Sequence, residues 1–255
     1  MIKFSIFLIT FLINSNIAFG RNVGETEITT EDGIEVFQEE KYYLLKKNVE
    51  ILSDEFKLTG QTVKIFFDKD LYDIKIIDAI GNVKLDSVEN NIDASGEKLY
   101  FIIEKEEIII EGLNSKLITK DTTMLSDGKI KVDNVNGSFY LNGQNSKLTS
   151  ENIIIEGKEI DGVFSTNTKI KEIVLLNVFD ENIAYVNDND TEMFAKKIKF
   201  DEKTSLIELE NNVKIISDGE TITGDYGTIN TKTNSYKIKS KDSKRVKVII
   251  SNTDE

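Results

Sequence analysis

Asn48-Val49-Glu50-Ile51 returns 34 residues later as Asn82-Val83-Lys84-Leu85, and again as Asn212-Val213-Lys214-Ile215. Each copy opens on an amide residue that tolerates turn dihedrals and continues by alternating apolar and polar side chains. A second short element follows each opening: Leu58-Thr59-Gly60, then Ile92-Asp93-Ala94-Ser95-Gly96, then Ile222-Thr223-Gly224. The gaps from Asn48 to Gly60 and from Asn212 to Gly224 are both 12 residues. Between the outer copies, Ser115-Lys116-Leu117 and Ser146-Lys147-Leu148 lie 31 apart. A self-similar period of about 33 residues predicts a stack of equivalent supersecondary units. Helical repeats of similar length do not fit, because the apolar positions alternate and β-branched residues and turn signals fill each unit.

Outward from these copies the same alternation persists. Val63-Lys64-Ile65-Phe66-Phe67, Leu99-Tyr100-Phe101-Ile102-Ile103, Ile198-Lys199-Phe200 and Val246-Lys247-Val248-Ile249-Ile250 read as strands. Asp32-Gly33, residues 68–70, residues 126–128, Asn142-Gly143 and residues 217–219 read as turns. Residues 37–45 have the makings of a short helix, and residues 158–189 fit the repeat least well, as if they held a longer loop. A unit of this length holds roughly three strands, giving on the order of 16 to 20 in all. The expected fold is all-β: an elongated open β-jellyroll or flattened β-solenoid of ~33-residue repeats.

The 255 residues include 32 Lys+Arg against 45 Asp+Glu and contain no His, Cys, Trp or Pro. Without His or Cys there is no imidazole acid/base, no thiol nucleophile and no usual zinc site, so neither an enzyme nor a cofactor or metal is expected. The formal charge of −13 argues against nucleic acid as a partner. Residues 1–20 read as a secretory signal: Lys3, an apolar run over 4–13, then Ala18-Phe19-Gly20 for cleavage. The run is too short to span a bilayer, which needs about 20 apolar residues, and this weighs for cleavage against the competing reading, an uncleaved membrane anchor. The expected organisation is a signal peptide over 1–20, a lead-in over 21–46, the repeated domain over 47–250 and a tail over 251–255.

Residues 193–250 carry the fullest unit: Ala195-Lys196-Lys197-Ile198-Lys199-Phe200-Asp201, the Asn212 copy, Ile222-Thr223-Gly224-Asp225-Tyr226-Gly227 and a late Arg245-Val246. This ordered set resembles the OstA-like domain of the periplasmic lipopolysaccharide-transport bridge proteins, the LptA/OstA type. Gly81-Asn82-Val83-Lys84-Leu85 with Ala94-Ser95-Gly96 supports it. Asn211 stands where that family usually has Gly, a mild departure because Asn also accepts turn dihedrals. The chain is also longer than a typical bridge protein, which leaves room for another station such as the inner-membrane clamp. The resemblance implies a periplasmic protein that binds lipopolysaccharide or lipid A and conveys it between inner-membrane and outer-membrane components of the transport machinery.

Alternation assigns an inward set: Val49, Ile51, Val63, Ile65, Val83, Leu85, Leu99, Phe101, Ile198, Phe200, Ile207, Leu209, Val213 and Ile215. Any one of these is ordinary core. Collectively, in a roll that fails to close, they would line an apolar slot for acyl chains; the resemblance implies this and the composition permits it. A secreted β-solenoid adhesin with a dry core is the competing reading, and a polysaccharide-active enzyme the third. Residues 104–107 and 188–190 are acidic but read as solvated loops. Near the C-terminus Lys237, Lys239, Lys241 and Lys247 suit either edge protection or a docking edge. The last strand, with Arg245, Val246, Val248 and Ile250, is the expected assembly edge, for an envelope partner or end-to-end self-association.

Overall fold

Long antiparallel strands follow one another through the computed structural model, which describes residues 25–69, 73–87, 91–165, 172–241 and 245–250. The expected export signal and tail lie outside the described residues. The strands are β1 (Glu27–Thr29), β2 (Ile34–Phe37), β3 (Tyr42–Leu52), β4 (Lys57–Phe67), β5 (Ile74–Ser87) and β6 (Ile92–Ile102). Next come β7 (Glu107–Glu111), β8 (Ser115–Ile118), β9 (Thr122–Ser126), β10 (Lys129–Asp133), β11 (Ser138–Ser150) and β12 (Ile153–Phe164). The last are β13 (Ile173–Asp188), β14 (Thr191–Asp201), β15 (Leu206–Ser217), β16 (Glu220–Asn230), β17 (Ser235–Lys239) and β18 (Lys247–Ile250). All 18 belong to one sheet.

The repeated motif is the corner at which a strand bends from one half of that sheet to the other. Pairing breaks between Lys46 and Val49 on β3, between Ile80 and Val83 on β5, and between Glu210 and Val213 on β15. Two successive left-handed residues fill each break: Lys47 and Asn48 (φ 62° and 47°), Gly81 and Asn82 (87° and 48°), Asn211 and Asn212 (64° and 57°). Asn tolerates this region and Gly enters it freely, which is why these residue types recur. Asn211 in place of Gly is accommodated at φ 64°. The valine after each corner is buried and stands opposite the glycine of the second element: Val49 faces Gly60, Val83 faces Gly96, Val213 faces Gly224. The Ser-Lys-Leu echo has its own role. Ser115 and Ser146 donate from buried hydroxyls to the carbonyls of Gly112 and Gly143, 2.7 and 3.2 Å away, closing the corner from within.

A period therefore holds two long bent strands rather than three short ones, because a strand passes the corner without ending. Where the bend interrupts the strand, two short pieces share one row: β1/β2, β7/β8, β9/β10 and β17/β18. With the ten long strands these make fourteen rows among the described residues. One half-sheet carries β1, β8, β9 and β18; the other carries β2, β7, β10 and β17. Residues 27–37, expected in the lead-in, form the first row, tied to the second by Thr30 donating to the Lys46 carbonyl.

Two local expectations fail. The short helix over 37–45 is instead the β2–β3 hairpin, where Phe37 and Tyr42 stack with centroids 4.5 Å apart. Asn142-Gly143 is a corner inside β11, not a turn between strands. There the backbones of neighbouring corners nearly touch: a Cβ on Gly128 would lie 2.3 Å from the Asn142 carbonyl oxygen, so only glycine fits.

Candidate functional site

Bending every row along one line lays the two half-sheets over each other and buries their facing side chains between them. Of the fourteen residues assigned inward from alternation, twelve are buried in one continuous cluster; Phe101 and Phe200 are half-buried and pack against it. The cluster is sealed along the corners. On the opposite side, where the hairpin ends lie, the two halves part.

In the N-terminal rows that opening is filled by the protein's own rings. Tyr43 and Phe67 point inward with centroids 5.2 Å apart, and Phe56 and Phe101 pack against the buried cluster. Farther along, Phe139 and Phe164 meet at 4.5 Å and are almost fully buried. Beyond them the halves diverge around a cavity of about 370 Å3. Ile153, Val186 and Met193 line it from one half-sheet, and Ile173, Leu176, Ile198, Phe200 and Ile207 from the other. The walls are apolar, and the rim carries Glu151, Glu172, Asp188 and Glu202. Pockets for small ligands span roughly 300–1,000 Å3, so this one suits a single aliphatic chain.

Three residues of the expected slot, Ile198, Phe200 and Ile207, reach this cavity; Val49, Ile51, Val63, Ile65, Val83, Leu85, Leu99, Leu209, Val213 and Ile215 lie deep in the interior. The remaining walls were not read from the sequence. Three of them, Ile173, Leu176 and Val186, fall where the repeat is weakest, and Ile173-Val174-Leu175-Leu176 is apolar throughout, so alternation gives no phase. The structure resolves it: Leu176 is 4% exposed and Leu175 39%. Pairing shifts by a residue between Val163 and Phe164, which resets the inward phase on β13.

The acidic clusters are hairpin turns. Glu107 pairs with Lys131 at 3.1 Å, Glu106 accepts from Asn134, and Asp188 accepts from Asn189. Among the described residues no group of His, Cys, Asp and Glu side chains is placed to hold a metal. The shifted titrating groups sit on the outer surface. Hydrogen bonding to Lys158 holds the Glu181 carboxyl below its ordinary range, and the Asn136 backbone N–H does the same for Asp133.

The ends of the stack are the other candidate surfaces. The last strand is shorter than its alternation suggests: Arg245 and Val246 precede it, and pairing to β16 spans Lys247–Ile250. Val248 and Ile250 are 51% and 66% exposed, and among the described strands β17 and β18 are in register with β16 alone. The first row likewise leaves β1 and β2 paired on one side only. Charge differs between the ends. Glu27, Glu31, Asp32 and Glu35 lie on the first row, and Lys237, Lys239, Lys241, Arg245 and Lys247 on the last.

Residues 30–138 match the family model described as the LptA/(LptD N-terminal domain) lipopolysaccharide transport protein. The matched stretch covers the first two copies of the corner motif, whereas the fullest unit, 193–250, lies outside it. No curated protein matches. Among solved structures, the chain is similar to the crystal structure of LptH, the LptA-homologous periplasmic component of the lipopolysaccharide transport device from Pseudomonas aeruginosa. That likeness is at 12% identity and a TM-score of 0.22, over 89% of this chain and 95% of that one.

Proposed function

We propose that this chain, LptA/OstA-like over residues 30–138, is a periplasmic carrier that passes lipopolysaccharide from the inner towards the outer membrane through the apolar slot between its half-sheets. The observation that carries the reading is the 370 Å3 apolar cavity opposite the corners. Moving one methylene out of water is worth about 0.8 kcal/mol, so a single acyl chain is held without any specific hydrogen bond. Handing it to an equivalent slot then costs little, which suits a conduit whose drive is supplied elsewhere. The competing reading, a structural protein with a dry core, draws on the ten inward residues that lie deep in the interior, away from the cavity.

Native mass spectrometry of the chain purified from a lipopolysaccharide-producing host separates the two. Bound glycolipid on the native chain, lost in Phe200→Asp while the fold persists, is the expected result. Bare native protein that takes up no added lipid sinks the carrier reading.

The ends extend the proposal. Unpaired strand edges bind other strands, and an acidic first row faces a basic last row when copies, or similar envelope proteins, stack end to end. Removing residues 245–255 should abolish concentration-dependent association in light scattering and leave lipid loading intact. A chain that stays monomeric at every concentration and low salt, and captures no envelope partner through this end, removes the basis for bridging.

A further inference from the structure

Outside the sheet, behind the slot, three neighbouring corners differ in length. Against β11 the β12 corner leaves only Lys158 unpaired, while β11 itself leaves residues 143–145. On β13 four residues, 180–183, are unpaired against β14. The β12 corner is therefore recessed between two projecting ones. Both projections are braced. Asp180 accepts the backbone N–H groups of Asn182 and Ile183 at 2.7 and 3.3 Å, Lys158 reaches Glu181 at 2.6 Å, and Asn145 donates to Asp127 at 3.0 Å. Between them lies an open groove of about 640 Å3, floored by Glu156 and Gly157 and bordered by Gln144 and Asn145. It continues onto an aromatic pair, Tyr185 and Phe194, with ring centroids 5.0 Å apart. Glu192 lies beside Phe194, and the Lys214 ammonium, 5.1 Å from its centroid, supports that ring.

We infer that this groove binds a linear amino-sugar glycan, a second ligand distinct from the lipid and independent of the carrier reading. A pyranose ring offers a face of C–H groups that packs on an aromatic surface. Its equatorial hydroxyls match carboxylate and amide side chains, as Glu192, Gln144 and the Asn145 side-chain carbonyl provide, while Glu156 is held by Lys147 at 2.8 Å. An acetamido substituent carries one donor and one acceptor, the complement of a carboxamide. A fatty chain would desolvate Gln144 and Glu192, and a polyanion would meet Asp180 and Glu192, because Lys147, which also lines the groove, is already neutralised by Glu156. The sheet itself stands between groove and slot, and the slot opens away from the corners. Because groove and slot lie on opposite sides of that sheet, we assign the glycan to a separate polymer.

Titrating the isotope-labelled full chain with chitotetraose tests the assignment by amide chemical shifts. Saturable changes at Gln144, Asn145, Gly157, Tyr185 and Phe194 are expected. Affinity should weaken by about tenfold or more in Phe194→Ala and in the double variant Gln144→Ala/Asn145→Ala. The second lies on an exposed corner, so it reports even where the first disturbs the sheet. No saturable change, changes centred on the slot mouth, or undiminished affinity in the double variant overturns the site. Deacylated lipopolysaccharide binding the groove more tightly than chitotetraose overturns the choice of glycan.

Discussion

Strands β3 to β6 and strands β12 to β15 are built from the same alternation yet enclose different interiors. In the first set, β3 and β5 turn the corner on two residues each, and Tyr43, Phe67 and Phe101 fill the far side. In the second, β13 spends four residues on its corner, and the far side is lined largely by aliphatic chains around a cavity. The alternation only decides which side chains point inward. Whether the halves meet or part depends on how bulky those side chains are near the hairpin ends, and on where each strand resets its phase.

The deepest test of this contrast sets a sealed position against one at the mouth. Leu99→Ala empties a fully buried site between β5 and β7 and should cost about 2–5 kcal/mol in urea unfolding. Phe200→Ala, half-buried on the existing cavity, should cost less than half as much while lowering glycolipid uptake. Equal losses would mean that the mouth is packed core and that the contrast fails.

The contrast can also be erased. Leu176→Phe grows into the cavity and gives β13 the aromatic filling of the N-terminal rows. Stability should hold or rise by up to about 1 kcal/mol, and lipid loading should be lost. A destabilisation of about 1–3 kcal/mol, as in overpacked cores, would show that the cavity has no room for a ring.

Corner chemistry gives a smaller effect with a sign that can be read. Gly81→Ala places a Cβ 2.7 Å from that of Gln61 at φ 87° and should cost about 1–2 kcal/mol. Lys47 holds the equivalent place on β3 at φ 62° without being Gly or Asn. Lys47→Gly should gain about 0.5–1 kcal/mol, the relief of a left-handed lysine less the entropy of an added glycine. A loss there would mean that this corner is held by its side chain rather than by its dihedrals.

The smallest effect concerns the long β13 corner. Lys158 depresses the Glu181 carboxyl, so the pair's contribution is present above the ordinary glutamate range and is lost as pH falls through the lowered value. Both side chains are on the surface, and solvent screens them. The unfolding temperature of Glu181→Gln should match that of the parent at acid pH and fall slightly below it at neutral pH. A gap that widens on acidification would contradict the assignment.

Much of the architecture was legible because the corner makes a demand that few residues meet. Asn48, Asn82 and Asn212 are recognisable since left-handed dihedrals exclude most other side chains, and the buried valine and facing glycine repeat with them. The inward set followed from period-2 alternation, which is reliable wherever polar residues mark the outer face. The cavity was not legible: Ile153-Ile154-Ile155 and Ile173-Val174-Leu175-Leu176 are apolar on both faces, and only the fold shows which side is outside. Nor could three residues of apolar and aromatic character, Phe37, Tyr42 and Tyr43, announce a hairpin, because stacked rings across a tight turn leave no periodic trace.

Fourteen is an even number. The first row runs from the half-sheet of β1 to that of β2, and the last runs the opposite way, from β17 to β18. A second molecule shifted along the stack, without being turned over, therefore offers its first row antiparallel to the last row of its neighbour. Corner follows corner and opening follows opening across the joint. One row more or fewer would force such a joint to be parallel, or would flip the neighbour. Parity alone thus gives any chain of these molecules a head, a tail and one unbroken side, so whatever travels along it meets every subunit in the same orientation.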